Sequence, residues 1–233
     1  MESTKSISER DQWIKIKRNI KSYSLNKFWE LGFELFRTRI NNKFIDPLDK
    51  IIHLRNQTGE GFAIVIVQCA LIETFASFRY GKVFNPRYNE ENDPTYQYRD
   101  SRKIFTDFLH DEKIFQNHFF VMEHGSKIMD KPFVADDFYS NVRCALVHEG
   151  RTRKKWTINV KPRNASDNVF IKNTSGKYKI YRTFLQKSLK KYLHGYITDL
   201  RKKQNDELRK FFGRKMDHIY HLKQNNIGWW LDM

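Results

Sequence analysis

The chain has 233 residues, 39% hydrophobic and 15% aromatic, enough to bury the core of one large domain or of one domain with an appendage. Its 19 Phe and 11 Tyr exclude wholesale disorder despite a mean hydropathy of −0.73. The formal net charge of +16 is uneven, with 21 Lys/Arg against 6 Asp/Glu in residues 151–233 and 22 against 21 in residues 1–150. A basic third of this kind marks a polyanionic partner, although charge alone does not separate nucleic acid from an anionic membrane surface.

After a short polar lead, residues 25–41 carry Phe28, Leu31, Leu35 and Phe36 at helical spacing, and a second helix is predicted over 47–56 with Pro47 in its first turn. Residues 60–80 are the most hydrophobic segment and read as a central buried helix ended by Gly81. Residues 82–98 read as a loop around Asn85-Pro86 and Asp93-Pro94, followed by helices near 99–112 and 114–129. Pro132 and the acidic pair Asp136-Asp137 then open a helix over about 135–149. Beyond Gly150 the texture changes. WTINV (156–160), NVFIK (168–172) and YKIYR (178–182) alternate like strands, with turn residues Asn164, Ser166, Asp167 and Ser175-Gly176 between them. A small antiparallel sheet is expected, then a long basic helix from about 183 to 224 with a break near Gly195 or Gly213, and a final apolar Trp229-Trp230-Leu231.

No apolar run approaches the roughly 18–20 residues of a membrane span, and MESTKSISERDQWIK lacks a hydrophobic signal core. The expected compartment is the cytoplasm, with no membrane partner. Cys69 and Cys144 sit in apolar helical stretches and read as core thiols rather than as a disulfide framework or a zinc site. There is no phosphate-cradling glycine loop, no H-E-x-x-H, no G-x-S-x-G and no metal-nuclease carboxylate cluster, so neither metal nor cofactor is expected.

The run NVRCALVHEG (141–150) stands out, with Arg143 five positions before His148 in an apolar turn that Gly150 closes. An arginine is a fixed cation shaped for phosphate, and a histidine titrates near neutrality, so the two can steady a phosphorane and move protons without a metal. On a regular helix positions i and i+5 lie about 140° apart, so convergence needs a loosened last turn or a second copy across a two-fold axis. Glu73, the only charged residue between Glu60 and Arg79, needs a cation or donor. Arg143 is one candidate; the alternatives are a structural counter-ion role to Arg79 or a core hydrogen-bond acceptor. The basic residues near the motif (Arg151, Arg153, Lys154, Lys155) and in KKYLHGYITDLRKKQ (Lys190, Lys191, Arg201, Lys202, Lys203) interleave with Tyr192 and Tyr196, as single-stranded RNA binding asks.

The R-x4-H spacing resembles the signature of the HEPN superfamily, helical domains many of which are metal-independent ribonucleases. The resemblance covers roughly residues 25–150. It implies a HEPN-like helical domain over 1–150 within a mainly α fold, and it is silent on the basic appendage over 151–233. It further implies a homodimer whose active site gathers both copies' motifs. Arg143 and His148 would be the catalytic pair, with Glu73 facing them from another helix. A 2′,3′-cyclic phosphate product is implied as well, with a role as a toxin or antiviral abortive-infection effector and an antitoxin or regulatory partner. Active motifs of the family usually carry Asn, Asp or His after the arginine, where this chain has Cys144. The alternative is a non-catalytic HEPN-fold RNA-binding or scaffold protein.

Overall fold

Ser8 opens the first helix, α1 (Glu9–Lys17), its hydroxyl accepting the Asp11 N–H at 3.1 Å. The computed structural model describes residues 7–53, 59–124, 126–130, 135–160, 170–174 and 177–222. The chain is mainly helical, with α2 (Lys27–Ile40), a π-helical turn (Asn41–Ile45), α3 (Asp46–His53), α4 (Glu60–Arg79), α5 (Ser101–Asp111) and α6 (Lys113–Phe119). A single helical run then carries the motif, as α7 (Ala135–Phe138), a second π-helical turn (Tyr139–Cys144) and α8 (Ala145–Glu149). After the strands come α9 (Arg182–Leu200) and α10 (Asp206–Ile219). Short strands punctuate them: β1 (Val83–Phe84), β2 (Gln97–Tyr98), β3 (Phe120–Glu123), β4 (Ser126–Asp130), β5 (Trp156–Asn159), β6 (Ile171–Thr174) and β7 (Lys177–Tyr181).

The fold departs from the sequence expectations in several places. The polar lead contains α1, because Trp13 within it is fully buried. The helix expected over 114–129 stops at Phe119. The β-rich FFVME then pairs antiparallel with β4 through a turn in which His124 takes the left-handed region (φ 49°). The loop over 82–98 holds the short parallel pair β1–β2. The sheet after Gly150 is mixed rather than antiparallel, since β7 lies between the other two strands, parallel to β5 and antiparallel to β6. The long basic helix breaks at 201–205, not at Gly195 or Gly213. Of the remaining expectations, the turn residues 164–167 and 175–176, Pro132 and the Trp229-Trp230-Leu231 tail lie outside the described residues.

The chain divides into two units, and the boundary does not fall at residue 150. One unit comprises Met1–Asn42, Ser77–Arg99 and Leu193–Met233, and the other Lys43–Ala76 and Asp100–Tyr192. Helices α4 and α9 each contribute to both units, so a division at one sequence position is not available to this chain.

The first unit is centred on Phe212 of α10. Its ring lies 5.2 Å from Phe33, 5.6 Å from Phe36, 5.8 Å from Phe78, 6.1 Å from Trp13 and 6.3 Å from Trp29. Such edge-to-face rings combine large apolar burial with favourable quadrupole geometry. Asp217 on α10 is buried and accepts from Trp13 Nε1 at 2.8 Å and Lys17 Nζ at 3.0 Å, which ties α1 to α10. Gly81 ends α4 with φ +62°, and a Cβ there would meet Phe211 at 2.5 Å, so glycine is required on two counts.

In the same unit a cleft of about 400 Å³ is lined by Tyr96, Gln97, Arg214, Asp217, His218 and His221. Burial, then the charges of Lys215 and His221, pull the His218 imidazole down to about 4 from an ordinary 6.5. The unfolded chain therefore takes up this proton near pH 6.5 and the native chain only near pH 4, so acidification between those values favours unfolding. The urea midpoint should fall between pH 7 and pH 4.5, and His218→Gln should flatten that fall. An unchanged slope in the variant would refute the assignment.

The second unit gathers Phe105, Phe108, Phe115, Phe119, Phe138 and Tyr192 into its core. Helix α4 supplies Ile64, Val65, Leu71, Ile72 and Phe75, all fully buried. Contrary to the expectation that no segment suffices, α4 is long and apolar enough to cross a membrane by length and hydropathy, with 56% of that window buried. Within the unit its Gln68 donates to the Arg182 carbonyl at 2.8 Å, and Glu60 pairs with the buried Arg182 at 2.7 Å, fixing α4 against the start of α9.

Candidate functional site

Helix α4 carries Glu73 three turns beyond its start, and the π-helical turn at Tyr139–Cys144 presents Arg143 to it. Arg143 Nη2 donates to Glu73 Oε2 at 2.9 Å, with side chains 23% and 21% exposed. The pairing anticipated for Glu73 is thus with Arg143, while Arg79 pairs with Asp199 at 3.4 Å. Burial pulls the Arg143 pKa down, but the Glu73 carboxylate outweighs it and the net shift is upward. Arg143 is a permanently charged, anchored donor.

A π-helical turn closes i→i+5 bonds and often marks a functional site. Tyr139 and Arg143, four residues apart, share one side of the helix, with the guanidinium carbon 5.4 Å from the Tyr139 ring centroid. Arg102 of α5 lies 5.1 Å from the same ring, so two guanidinium groups flank one phenol. Tyr139 also shares a 2.9 Å hydrogen bond with Ser101, and burial pushes its phenol up. Arg102 is held by Asp136 and donates to Ser140 Oγ at 3.1 Å. The sequence reading passed over Tyr139, Ser101 and Arg102. The polar run Tyr139-Ser140-Asn141, between the buried Phe138 and Val142, was the available signal.

Asp137 locks the chain that follows the motif. It accepts from Asn141 Nδ2 at 2.7 Å, Trp156 Nε1 at 2.8 Å and Lys154 Nζ at 3.0 Å, while Arg153 N–H donates to the Asn141 carbonyl at 2.9 Å. Gly150 (φ 64°) caps α8 in the left-handed region that glycine adopts without strain. His148 therefore sits in a last turn held from both sides. It is exposed and makes no hydrogen bond, ion pair or ring contact among the described residues. Nothing joins it to Arg143 within one chain. Its neighbour Glu149 is occupied by Arg151 at 3.1 Å and by Arg153, so that carboxylate does not orient the imidazole.

The two cysteines differ. Cys69 is buried, and burial pushes its thiol up to about 12, as suits an inert core group. Cys144 is only partly covered.

The residues expected to bind nucleic acid divide by their partners. Arg151 and Arg153 pair with Glu149, Lys154 with Asp137, Lys190 with Asp49, Arg201 with Glu30 and Glu34, and Lys202 with Asp199. Lys155, Lys191 and Lys203 are exposed and carry no ion pair among the described residues. Tyr192 and Tyr196 are not stacking faces for bases. Both are buried, Tyr192 with its ring 4.9 Å from Phe75 and 4.8 Å from Phe108, and Tyr196 6.0 Å from Phe36. Their four-residue spacing puts them on the apolar face of α9 with Leu185, Leu189 and Leu200.

Comparison with family models, with curated proteins and with solved structures finds no match.

Proposed function

We propose that the chain is a HEPN-type metal-independent endoribonuclease of the Arg–His kind, acting in the cytoplasm as a homodimer. His148 acts as general base at the 2′-hydroxyl and, in its protonated form, as general acid at the leaving 5′ oxygen. Arg143 stabilises the charge that develops on the phosphorane, and Glu73 positions the guanidinium. The 2′-oxygen attacks the adjacent phosphorus as the bond to the 5′ oxygen breaks, leaving a 2′,3′-cyclic phosphate. The reading rests on one juxtaposition: an arginine anchored by a half-buried carboxylate, and an exposed, unpartnered histidine five residues later.

Dimerisation is supported by the outer stripe of α4. Phe62 is 41% exposed, and Ile66 and Ala70 continue the stripe toward Glu73; on the motif helix Val147 is 49% exposed. A toxin or antiviral effector role, with an antitoxin or regulatory partner, belongs to the same proposal.

The test is RNA cleavage in EDTA by the wild type, with product ends analysed. Cyclic-phosphate ends support the reading, and intact RNA at concentrations where the protein binds it refutes the reading. A second reading, a non-catalytic RNA-binding protein, is favoured by Cys144 in the position after Arg143. It predicts salt-sensitive RNA binding that survives loss of Arg143 and His148.

A further inference from the structure

Within the second unit, α6 and the first half of α9 enclose a groove of about 440 Å³ lined by Lys113, Lys187, Lys191, Asn117, Ser188 and Phe184. No carboxylate is among its lining residues, in contrast to the ion-paired cations elsewhere in the basic third. Lys113 and Lys191 form no ion pair among the described residues. Lys187 and Lys191 stand one turn apart on α9, a like-charge i,i+4 pair. Lys113 of α6 adds a third cation to the same hollow. Lys113 and Lys191 thus bring two cations without an ion pair among the described residues into a concave site whose lining holds no carboxylate, and such a site draws an anion.

We propose that this groove binds the phosphate backbone of a single-stranded polynucleotide, one nucleotide unit at a time. The lysines take the phosphates, Asn117 and Ser188 donate to their oxygens, and the partly exposed Phe184 offers a ring for a base. The volume suits one nucleotide and its phosphate, and a groove open to solvent lets the strand continue at both ends. This assignment rests on the RNA-contact reading above, but it concerns a surface separate from Arg143 and His148 and needs no cleavage.

The experiment is fluorescence anisotropy of a labelled 2′-O-methyl oligouridine, which lacks the free 2′-hydroxyl and cannot be cut. Its binding is therefore read independently of catalysis. The double variant Lys113→Gln/Lys191→Gln is compared with Lys15→Gln/Lys21→Gln, which removes the same charge from an exposed surface of α1 and the residues after it. The groove variant should bind at least about tenfold more weakly at 0.1 M salt, and its log–log salt slope should be shallower by about 1.4, two contacts at about 0.7 each. The control should stay near wild type. Equal losses in both variants, no loss in the groove variant, or no binding by the wild type would each overturn the proposal. Loss of cleavage in the EDTA assay with groove-dependent binding intact would refute the ribonuclease reading alone.

Discussion

Alanine in place of His148 is expected to slow RNA cleavage by about two to four orders of magnitude while leaving the thermal midpoint unchanged. The separation is sharp because His148 is exposed and makes no contact that the fold uses. Only the proton transfer is lost. Arg143 is a different case. Arg143→Ala removes the charge proposed to steady the phosphorane, and it also strands Glu73 half-buried without its cation. An orphaned carboxylate costs about 1–3 kcal/mol, so that variant confounds chemistry with stability. Arg143→Lys keeps a cation and still forfeits the planar fork, and should lose about 100- to 1000-fold in rate with a small change in stability. Initial rates on a reporter RNA in EDTA, paired with thermal unfolding of each variant, check both. Wild-type rates from His148→Ala would end the catalytic assignment, whatever the behaviour of Arg143.

That Glu73 needs a partner was legible in the chain, because it is the only charged residue between Glu60 and Arg79, but the choice of Arg143 over Arg79 was not. Length and near-continuous hydrophobicity made α4 legible for the same kind of reason, and Gly81 and Gly150 marked helix ends because glycine adopts the left-handed region there without strain. The π-helical turn was not legible. Inserting one residue into a helical turn leaves the apolar pattern nearly intact while rephasing everything downstream. The Tyr139–Arg143 contact is a local four-residue spacing, but the approach of Arg102 to the same ring depends on the packing of α5, which is not a local property.

The basic third shows why a charge count overstates a binding surface. Six of the nine cations expected to meet nucleic acid are paired with carboxylates, five of the six with carboxylates from residues 1–150. Surface pairs of this sort are worth about 0–1 kcal/mol and can yield to a phosphate, but they lower the local field until one arrives. Other cations in the same third are interior. Arg214 lies 4.3 Å from the Tyr96 ring and donates to the Gly81 carbonyl at 3.2 Å. What distinguishes the groove of Lys113, Lys187 and Lys191 is a lining with three lysines and no carboxylate, which only the tertiary structure reveals.

Arg209 carries that point furthest, and Arg209→Met should destabilise the protein by about 3–5 kcal/mol. The sequence offers it as one more charge in a basic helix, yet its side chain is 0% exposed. Its guanidinium closes the break between α9 and α10. Nη1 donates to the carbonyls of Leu200 and Lys202 at 2.7 Å, Nη2 donates to Lys203 at 2.8 Å and also holds Asp206, and Nε donates to the Tyr23 carbonyl. These are the orphan acceptors left where α9 ends, and an arginine supplies enough donors in one plane to satisfy them together. Methionine matches the volume and supplies none. A loss of that size corresponds to a fall of roughly 6–20 °C in the thermal midpoint. Arg209→Lys should recover only part of it, since an ammonium reaches one carbonyl cluster rather than five separated oxygens. Amide exchange at residues 197–203 should accelerate in the methionine variant ahead of global unfolding, because the last turn of α9 would lose its cap. A methionine variant within 1 kcal/mol of wild type, by urea titration, would show that water can replace the guanidinium there.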